Sequence, residues 1–448
     1  MPLKVLIIGA GVCGPALATL LRRADPSAST YDITVVERAA KLRDTGLQID
    51  LRAHGIPIVR KMGLMEAIRR RAVPEQGVSF VDATGRSFAT FGRNDSGRGA
   101  QAFTSEYEIM RGDLVDVFYR ASLGLSTDGN DDDDGKTPAV VSSSGNVRYE
   151  FGVAVTDLAQ HDDAAVEVTF SDGRAARYDL VVGADGQGSR TRRMMLGSKA
   201  ASDACFWPLD LFTALYLVPR GPRDDGWMTC HAMPGRRGIF TRSADETAPT
   251  QVYMTVRTGR AENAYGVCTA MGRPPAEQKE AFALAFADQH GWRVDELVDA
   301  LRNETREDDF YAAEIGQVHC ERLVVGRVVL LGDAGYCPSP ITGMGSTLSL
   351  TGAYVLAGEL ARHGRDGVPE ALASYARVVR PFVDEAQTLM PGLPGLLYAR
   401  SRWGVWVLTT ALSLLAKLRI VDLLVRLFPE SSGGLKIPEY PELNLRSS

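Results

Sequence analysis

Residues Leu3 to Ile8 form a short unbroken apolar run that ends at a glycine, the pattern of a strand buried on both faces of a parallel sheet. Behind it Val12, Ala16, Leu17, Leu20 and Leu21 recur at helical spacing within 12–23, until Asp25-Pro26-Ser27 interrupts them. Asp32 to Val36 returns to the strand pattern. Strand, glycine turn, helix and strand in about 35 residues make a βαβ unit with a right-handed crossover. Further on, the alternating pieces 153–155, 165–170 and 175–178 predict a small meander of strands. The patches 211–218, 227–233, 238–241 and 251–256 predict a second, mostly antiparallel sheet. Helical spacing resumes over 274–302, a buried-strand run covers 323–331, and 346–362 reads as a helix. The first domain thus resumes late in the chain. Between the two patterns, 126–146 is polar and aperiodic, with four consecutive aspartates at 131–134, and is expected to be a solvated loop. No fixed-period repeat is present, so solenoids and propellers are not expected.

Length allows two or three domains: 448 residues at about 100–200 each. The net charge of −5 supplies no general field for nucleic acid. Six cysteines stand no closer than 17 residues apart, so neither a zinc knuckle nor a CxxC pair is encoded, and no metal site is expected among the scattered acids and six histidines. A reducing, cytoplasmic setting fits that usage. Met1-Pro2-Leu3-Lys4 enters the first strand at once, which leaves no room for a secretion signal.

The first chemical signal is Gly9-Ala10-Gly11-Val12-Cys13-Gly14 between a predicted strand and helix. In that setting Gly9 allows the turn, Gly11 admits a pyrophosphate and Gly14 lets helix and strand pack, while the helix start offers free N–H groups. Glu37 closes the second strand 23 residues after Gly14, where a carboxylate accepts from ribose hydroxyls. This predicts a dinucleotide without telling FAD from NAD. Two further strands end in acidic turns: Tyr178-Asp179-Leu180-Val181-Val182-Gly183-Ala184-Asp185-Gly186, and Val328-Val329-Leu330-Leu331-Gly332-Asp333-Ala334-Gly335 followed by Pro340-Ile341-Thr342-Gly343-Met344-Gly345.

With these three motifs in this order the chain, over roughly residues 3–365, resembles the class A flavoprotein monooxygenases. That group includes p-hydroxybenzoate hydroxylase and the tetracycline-inactivating monooxygenases. The resemblance implies an α/β fold: a Rossmann-like FAD-binding domain from 1–75, 104–190 and 321–395, an inserted, mostly antiparallel substrate domain from 76–103 and 191–320, and a C-terminal helix and tail over 396–448. It implies FAD held by Gly9, Gly11, Gly14, Glu37, Arg38 and Arg111, with Asp185 and Asp333 at the two acidic turns, Asp333 at the ribityl chain. Gly343, Gly345, Ser346 and Thr347 would run under the flavin ring, and Arg43 and Asp50 would pass near the ring and the nicotinamide. Relatives commonly carry asparagine and an Asp-Ala pair where this chain has Thr347 and Gly352-Ala353, so contacts to the pyrimidine edge are expected from backbone and hydroxyl groups.

The implied reaction is reduction of FAD by NAD(P)H, addition of O₂ to give a C4a-(hydro)peroxide, and transfer of one oxygen to an apolar aromatic or polycyclic molecule of secondary-metabolite type. No second glycine turn exists for NAD(P)H, so it is expected as a transient visitor. Arg192 and Tyr216 match an arginine and a tyrosine that hold and orient a phenolate in fungal relatives; cofactor support for Arg192 and strand packing for Tyr216 are the other readings. His231 is read chiefly as a packed histidine. A reductase or oxidative cyclase on this fold, or a non-catalytic FAD-binding membrane protein, stands as the alternative. From Trp403 to Ala416 no residue is charged, and Arg400, Arg402, Lys417, Arg419 and Arg426 flank the stretch. Fourteen residues fall short of the ~20 that span a bilayer. Packing across both domains is the main expectation, and peripheral membrane contact through 396–428 is the other. Oligomeric state is left open.

Overall fold

The computed structural model describes all residues except 44–45, 94–105, 128–139, 143–144, 162–163, 222–223, 260–263, 421–434 and 446–448. The acidic run 131–134 and most of the expected solvated loop therefore lie outside the described residues, as does 421–428 of the tail.

The predicted βαβ unit is present. Leu3–Ile8 pairs in parallel with Tyr31–Glu37 on one side and Leu180–Gly183 on the other. Val328–Leu330 extends the parallel sheet beyond Leu180–Gly183, and Val147–Phe151 extends it beyond Tyr31–Glu37. Antiparallel strands Val324–Val325 and Val140–Ser142 close the two edges. Val147–Phe151 thus belongs to the main sheet. The meander that follows is Val155–Ala159, Val166–Phe170 and Ala175–Tyr178, a separate three-stranded sheet. Helices Cys13–Ala24, Arg111–Leu123 and Gly345–His363 pack together at the main sheet, and their apolar faces share one large core with its strands.

The second sheet runs Phe310–Val318, Phe206–Val218, Thr250–Arg257, Arg237–Ser243, Trp227–Met233, Gly77–Val81 and Ser87–Gly92. Only the pairing of Trp227–Met233 with Gly77–Val81 is parallel. One face of it buries Phe212, Ala214, Tyr216, Ile239, Val252 and Met254 against helices Pro275–Phe286 and Val294–Asn303, forming an independent core. The other face looks toward the first domain.

The chain closes back on the long helix Gly345–His363. Tyr440 stacks edge-on against Tyr354 at 5.3 Å, and its hydroxyl donates to Glu359 Oε1 at 2.7 Å. A Cβ on Gly358 would stand 2.3 Å from the Tyr440 ring, so glycine there is what admits the tail. We predict that Gly358→Ala lowers stability by about 1–3 kcal/mol through overpacking. In chemical denaturation, adding Tyr440→Ala to that variant should cost far less than Tyr440→Ala alone.

Candidate functional site

The dinucleotide half is built from glycines that bring strand ends together. Gly9 has φ +111°, and a Cβ on it would sit 2.5 Å from the carbonyl oxygen of Ala184. One on Gly14 would sit 2.0 Å from the Gly9 carbonyl. At Gly11 the nearest atom to a Cβ is the Arg111 guanidinium, at 3.4 Å, so this side is open toward a ligand. Helix Cys13–Ala24 has no side-chain cap, leaving its first N–H groups available for an anion. Glu37 is fixed beside them: its Oε2 accepts from the Ala10 N–H at 3.0 Å and its Oε1 from Ala39 at 2.9 Å. Arg38 and Arg43 are exposed.

Arg111 lies between the two acidic ends of the cleft. Burial lowers its proton affinity and so does Arg43, whereas Asp333, Glu37 and Tyr311 raise it. Burial in turn pushes the Asp333 carboxyl up, opposed by a hydrogen bond from Cys337 and by Arg111. A half-buried carboxylate facing a guanidinium across an open glycine turn suits a ligand with a pyrophosphate and hydroxyls between the two, which is the donor set a dinucleotide presents. Tyr311, absent from the sequence expectations, reaches this cleft from the second sheet. Its only trace in the sequence is an aromatic next to Phe310 on a strand that otherwise alternates weakly.

Four of the expected site residues have their polar groups engaged within the protein. Arg192 is 4 % exposed and all three of its guanidinium nitrogens donate within the protein: Nε to Ser202 Oγ at 3.1 Å, Nη1 to the Ala334 carbonyl at 2.8 Å and Nη2 to the Gln187 carbonyl at 2.9 Å. It pins the turn that carries Asp333. Tyr216 is fully buried on the helix-covered face, its hydroxyl donating to the Leu297 carbonyl at 2.7 Å. The Asp185 carboxylate is taken up by its own turn, accepting from Ser189 Oγ at 2.5 Å and from the Arg190 and Thr191 N–H groups at 2.8 and 3.0 Å. The Thr347 hydroxyl accepts from the Arg52 N–H at 3.0 Å and donates to the Arg52 carbonyl at 2.8 Å, which ties the two segments and leaves any ligand contact there to backbone. His231 packs against Trp292 beside the Val81 carbonyl, on the same covered face as Tyr216.

The remaining ring-side positions lie together. Gly343 has φ +64°, with Arg52 Nε 3.7 Å from where its Cβ would be, and Arg52 pairs with Asp50. Gly345 opens helix Gly345–His363 with nothing within 4 Å of a Cβ, and Ser346 follows it half-buried. Gly352 is explained by Tyr336, whose hydroxyl a Cβ would meet at 2.0 Å.

On the open face of the second sheet, the strand registers align Tyr311, Leu215, Tyr253, Phe240, Cys230 and Phe80 in one row. The Tyr253 and Phe240 rings stack at 4.3 Å. Tyr398, from the segment between helices Val368–Gln387 and Arg402–Lys417, hydrogen-bonds Thr255 one row over and approaches Gly238. The Gly235 and Arg236 N–H groups hold that segment through the carbonyls of Arg400 and Ala399, at 2.9 and 3.0 Å. The row therefore runs from the dinucleotide cleft along a half-buried, mostly apolar floor with a strap beside it.

A two-layer fold with this cleft is that of a FAD-dependent oxygenase, and the chain matches the family described as "FAD binding domain" over residues 2–389. It belongs to that family. It is 39 % identical over 450 residues, all of both chains, to FAD-dependent monooxygenase asL6 of Sarocladium schorii. It is 35 % identical over 424 residues to flavin-dependent monooxygenase eupH of a Phoma species, covering 91 % of this chain and 90 % of the relative. The solved structure of tetracycline destructase Tet(55) matches with a TM-score of 0.71 at 27 % identity, over 98 % of this chain and 99 % of that one. The protein is a flavin-dependent monooxygenase of the secondary-metabolite type, with FAD as its cofactor.

We predict that Gly14→Ala yields protein that purifies colourless, because its Cβ cannot coexist with the Gly9 carbonyl. Gly188→Ala, where nothing lies within 4 Å, should stay yellow. Absorbance of bound flavin after gel filtration checks both.

Proposed function

We propose that the enzyme inserts one oxygen atom from O₂, at the expense of NAD(P)H, into an apolar aromatic or polycyclic molecule lying on the row from Tyr311 to Phe80. The observation that carries this is the stacked Tyr253–Phe240 pair and its neighbours, which lead directly out of the cleft that Asp333 and Arg111 define. Bound FAD supplies the redox chemistry, accepting hydride and activating O₂. The chain's own part is to seat an extended ring system by stacking and dispersion and, with Tyr398 and its strap, to exclude water. Gly9, Gly11, Gly14, Glu37, Arg38 and Arg111 would hold the ADP half. Asp333 would hold the ribityl chain, and the backbone of Gly343, Gly345 and Ser346 would face the ring. Arg43 is exposed near the cleft mouth, where it suits a visiting nicotinamide dinucleotide. In this reading 1–75, 104–190 and 321–395 form the FAD domain, and 76–103 and 191–320 the substrate domain.

With polycyclic phenols as probes, products should gain one oxygen carrying label from ¹⁸O₂. NADPH consumption with unlabelled product would instead favour a reductase or cyclase. Tyr398→Ala should raise KM for such a probe several-fold and increase NADPH consumption per product formed, with FAD content unchanged.

Helix Arg402–Lys417 supports the reading of 396–428 as a membrane contact. None of its residues is buried; Trp403, Trp406, Val407 and Leu414 are exposed; and it bears basic residues at its ends and no acid. No helix among the described residues is long and apolar enough to cross a membrane. Sedimentation with vesicles rich in anionic lipid should retain the wild type and lose Trp403→Ala/Trp406→Ala, whose turnover of a soluble probe should be unchanged.

A further inference from the structure

We infer that Arg257 is a specificity-determining residue, and that the molecule lying on the chamber floor carries an ionised oxygen, of a carboxylate or of an acidic phenol, for its guanidinium to hold. The inference rests on the reading of the row from Tyr311 to Phe80 as that floor.

Strand parity puts Arg257 on the chamber side. Val252, Met254 and Val256 of strand Thr250–Arg257 are buried in the helix-covered core, so Tyr253, Thr255 and Arg257 project from the opposite face. The ladder is regular on both sides of this strand, from Leu211 opposite Arg257 to Val218 opposite Thr250 on one, and from Arg237 opposite Val256 to Ser243 opposite Thr250 on the other. No bulge interrupts the alternation. Arg257 lies four residues from Tyr253, about 13 Å of extended strand. The strap crosses this end of the face: Tyr398 hydrogen-bonds Thr255, and a Cβ on Gly395 would stand 3.5 Å from Arg257 Nη1.

Nothing among the described residues neutralises this guanidinium. Arg257 is half-buried, its Nε is shut off from solvent with no hydrogen-bond partner, and the group forms no ion pair. Other arginines of the same domain are compensated. Arg242, at the opposite end of the same face, donates to Glu75 and Glu108 at 2.7 and 3.0 Å; Arg237, on the covered face, pairs with Asp288; Arg293 pairs with Asp224 at 2.9 Å. The acids at the Arg257 end of the sheet, Asp210 and Glu314, act together on Cys268, and Glu314 stands opposite Phe212 of the covered core. Tyr398 cannot balance the charge either, because burial pushes its phenol up to about 12 and it stays neutral. A charged donor shielded from water without an acceptor is costly, and the cost is offset when a ligand brings the acceptor. A carboxylate or phenolate supplies it with a charge-assisted hydrogen bond. Anchored there, a fused-ring ligand stretched along the floor toward Tyr253 has its register fixed, which determines which of its edges faces the cleft.

The test is binding to the FAD-loaded enzyme, followed by calorimetry with matched pairs: anthraquinone-2-carboxylate against its amide, and a dinitronaphthol, ionised at neutral pH, against its methyl ether. The wild type should bind at least one charged probe about tenfold or more tighter than its neutral partner, and the pair that shows the preference tells carboxylate from phenolate. Arg257→Met, which keeps the apolar stem, should lose that preference and bind the neutral partner as before. Arg257→Lys should recover part of it. Arg257→Gln takes the place of Arg257→Met if the latter fails to retain FAD. A wild type that binds the neutral partners as tightly as the charged ones, a preference that survives in Arg257→Met, or a defect in that variant that falls on KM for NADPH instead overturns this proposal alone. A yellow wild type that binds no member of either pair overturns it together with the reading of the floor.

Discussion

Backbone meets backbone without an intervening side chain where the strands Leu3–Ile8, Leu180–Gly183 and Val328–Leu330 end, and the cleft depends on that approach. Gly9 lies against the Ala184 carbonyl, and Gly332, at φ +63°, leaves no more than 2.2 Å between a would-be Cβ and the Cys13 sulfur. A side chain at either place would push two of the three tips apart. Arg192 then locks the third tip by donating to the Ala334 carbonyl, the residue after Asp333. Because a buried guanidinium with satisfied donors is costly to disturb, the acidic end of the cleft is held at a fixed separation from the glycine turn. Arg111, between them, feels both Glu37 and Asp333.

The second sheet serves two purposes because its two faces are chemically different. The face toward helices Pro275–Phe286 and Val294–Asn303 is a closed apolar core, and it makes the sheet rigid without help from the first domain. The opposite face carries aromatic and polar residues that range from buried, as at Tyr253 and Gln251, to exposed, as at Tyr311, and it is anchored to the first domain through the pair of short strands Gln48–Asp50 and Glu108–Met110. Gln251 donates to the Met110 sulfur at 3.6 Å, and Arg242 bridges to Glu108 beside it. The joint between the domains is thus polar at the ribbon and open along the row from Tyr311 to Phe80.

Much of this was legible in the chain because backbone geometry imposes residue type. Gly9, Gly14 and Gly332 must be glycine for steric reasons, so the strand-end motifs announce themselves, and the apolar runs before them announce buried parallel strands. The Gly352 departure from relatives is also steric, since Tyr336 occupies the space. Roles carried by hydrogen bonds were less legible. An arginine just past an acidic turn reads equally well as a substrate clamp or a scaffold brace, and only the positions of Ser202, Gln187 and Ala334, scattered over some 150 residues of sequence, decide it. Asp185 is similar: an acid at a strand end is a ligand or a helix cap according to whether the next turn bends back to it. The Glu75–Glu108–Arg242 cluster has no local signature at all, because its members come from three separate stretches and are individually unremarkable.

Strand parity places Tyr216 and Tyr253 on opposite faces of the second sheet. Along Phe206–Val218, residues 212, 214, 216 and 218 all face the helix-covered core, so 211, 213, 215 and 217 must face the cleft. Register then carries the alternation to each neighbour: Leu215 stands opposite both Tyr253 and Tyr311. A single-residue slip would invert every assignment, placing Phe240 and Tyr253 in the core and His231 and Tyr216 in the chamber. Sequence alone leaves both parities open for a strand as apolar as Leu211–Val218, with a hydrophobic residue at nearly every position. What fixes the choice is the whole pattern: Phe212, Ala214, Tyr216, Ile239, Val252 and Met254 pack together against the helices, Arg237 on that face reaches the Ala285 carbonyl and Asp288, and Arg242 on the other reaches Glu75 and Glu108.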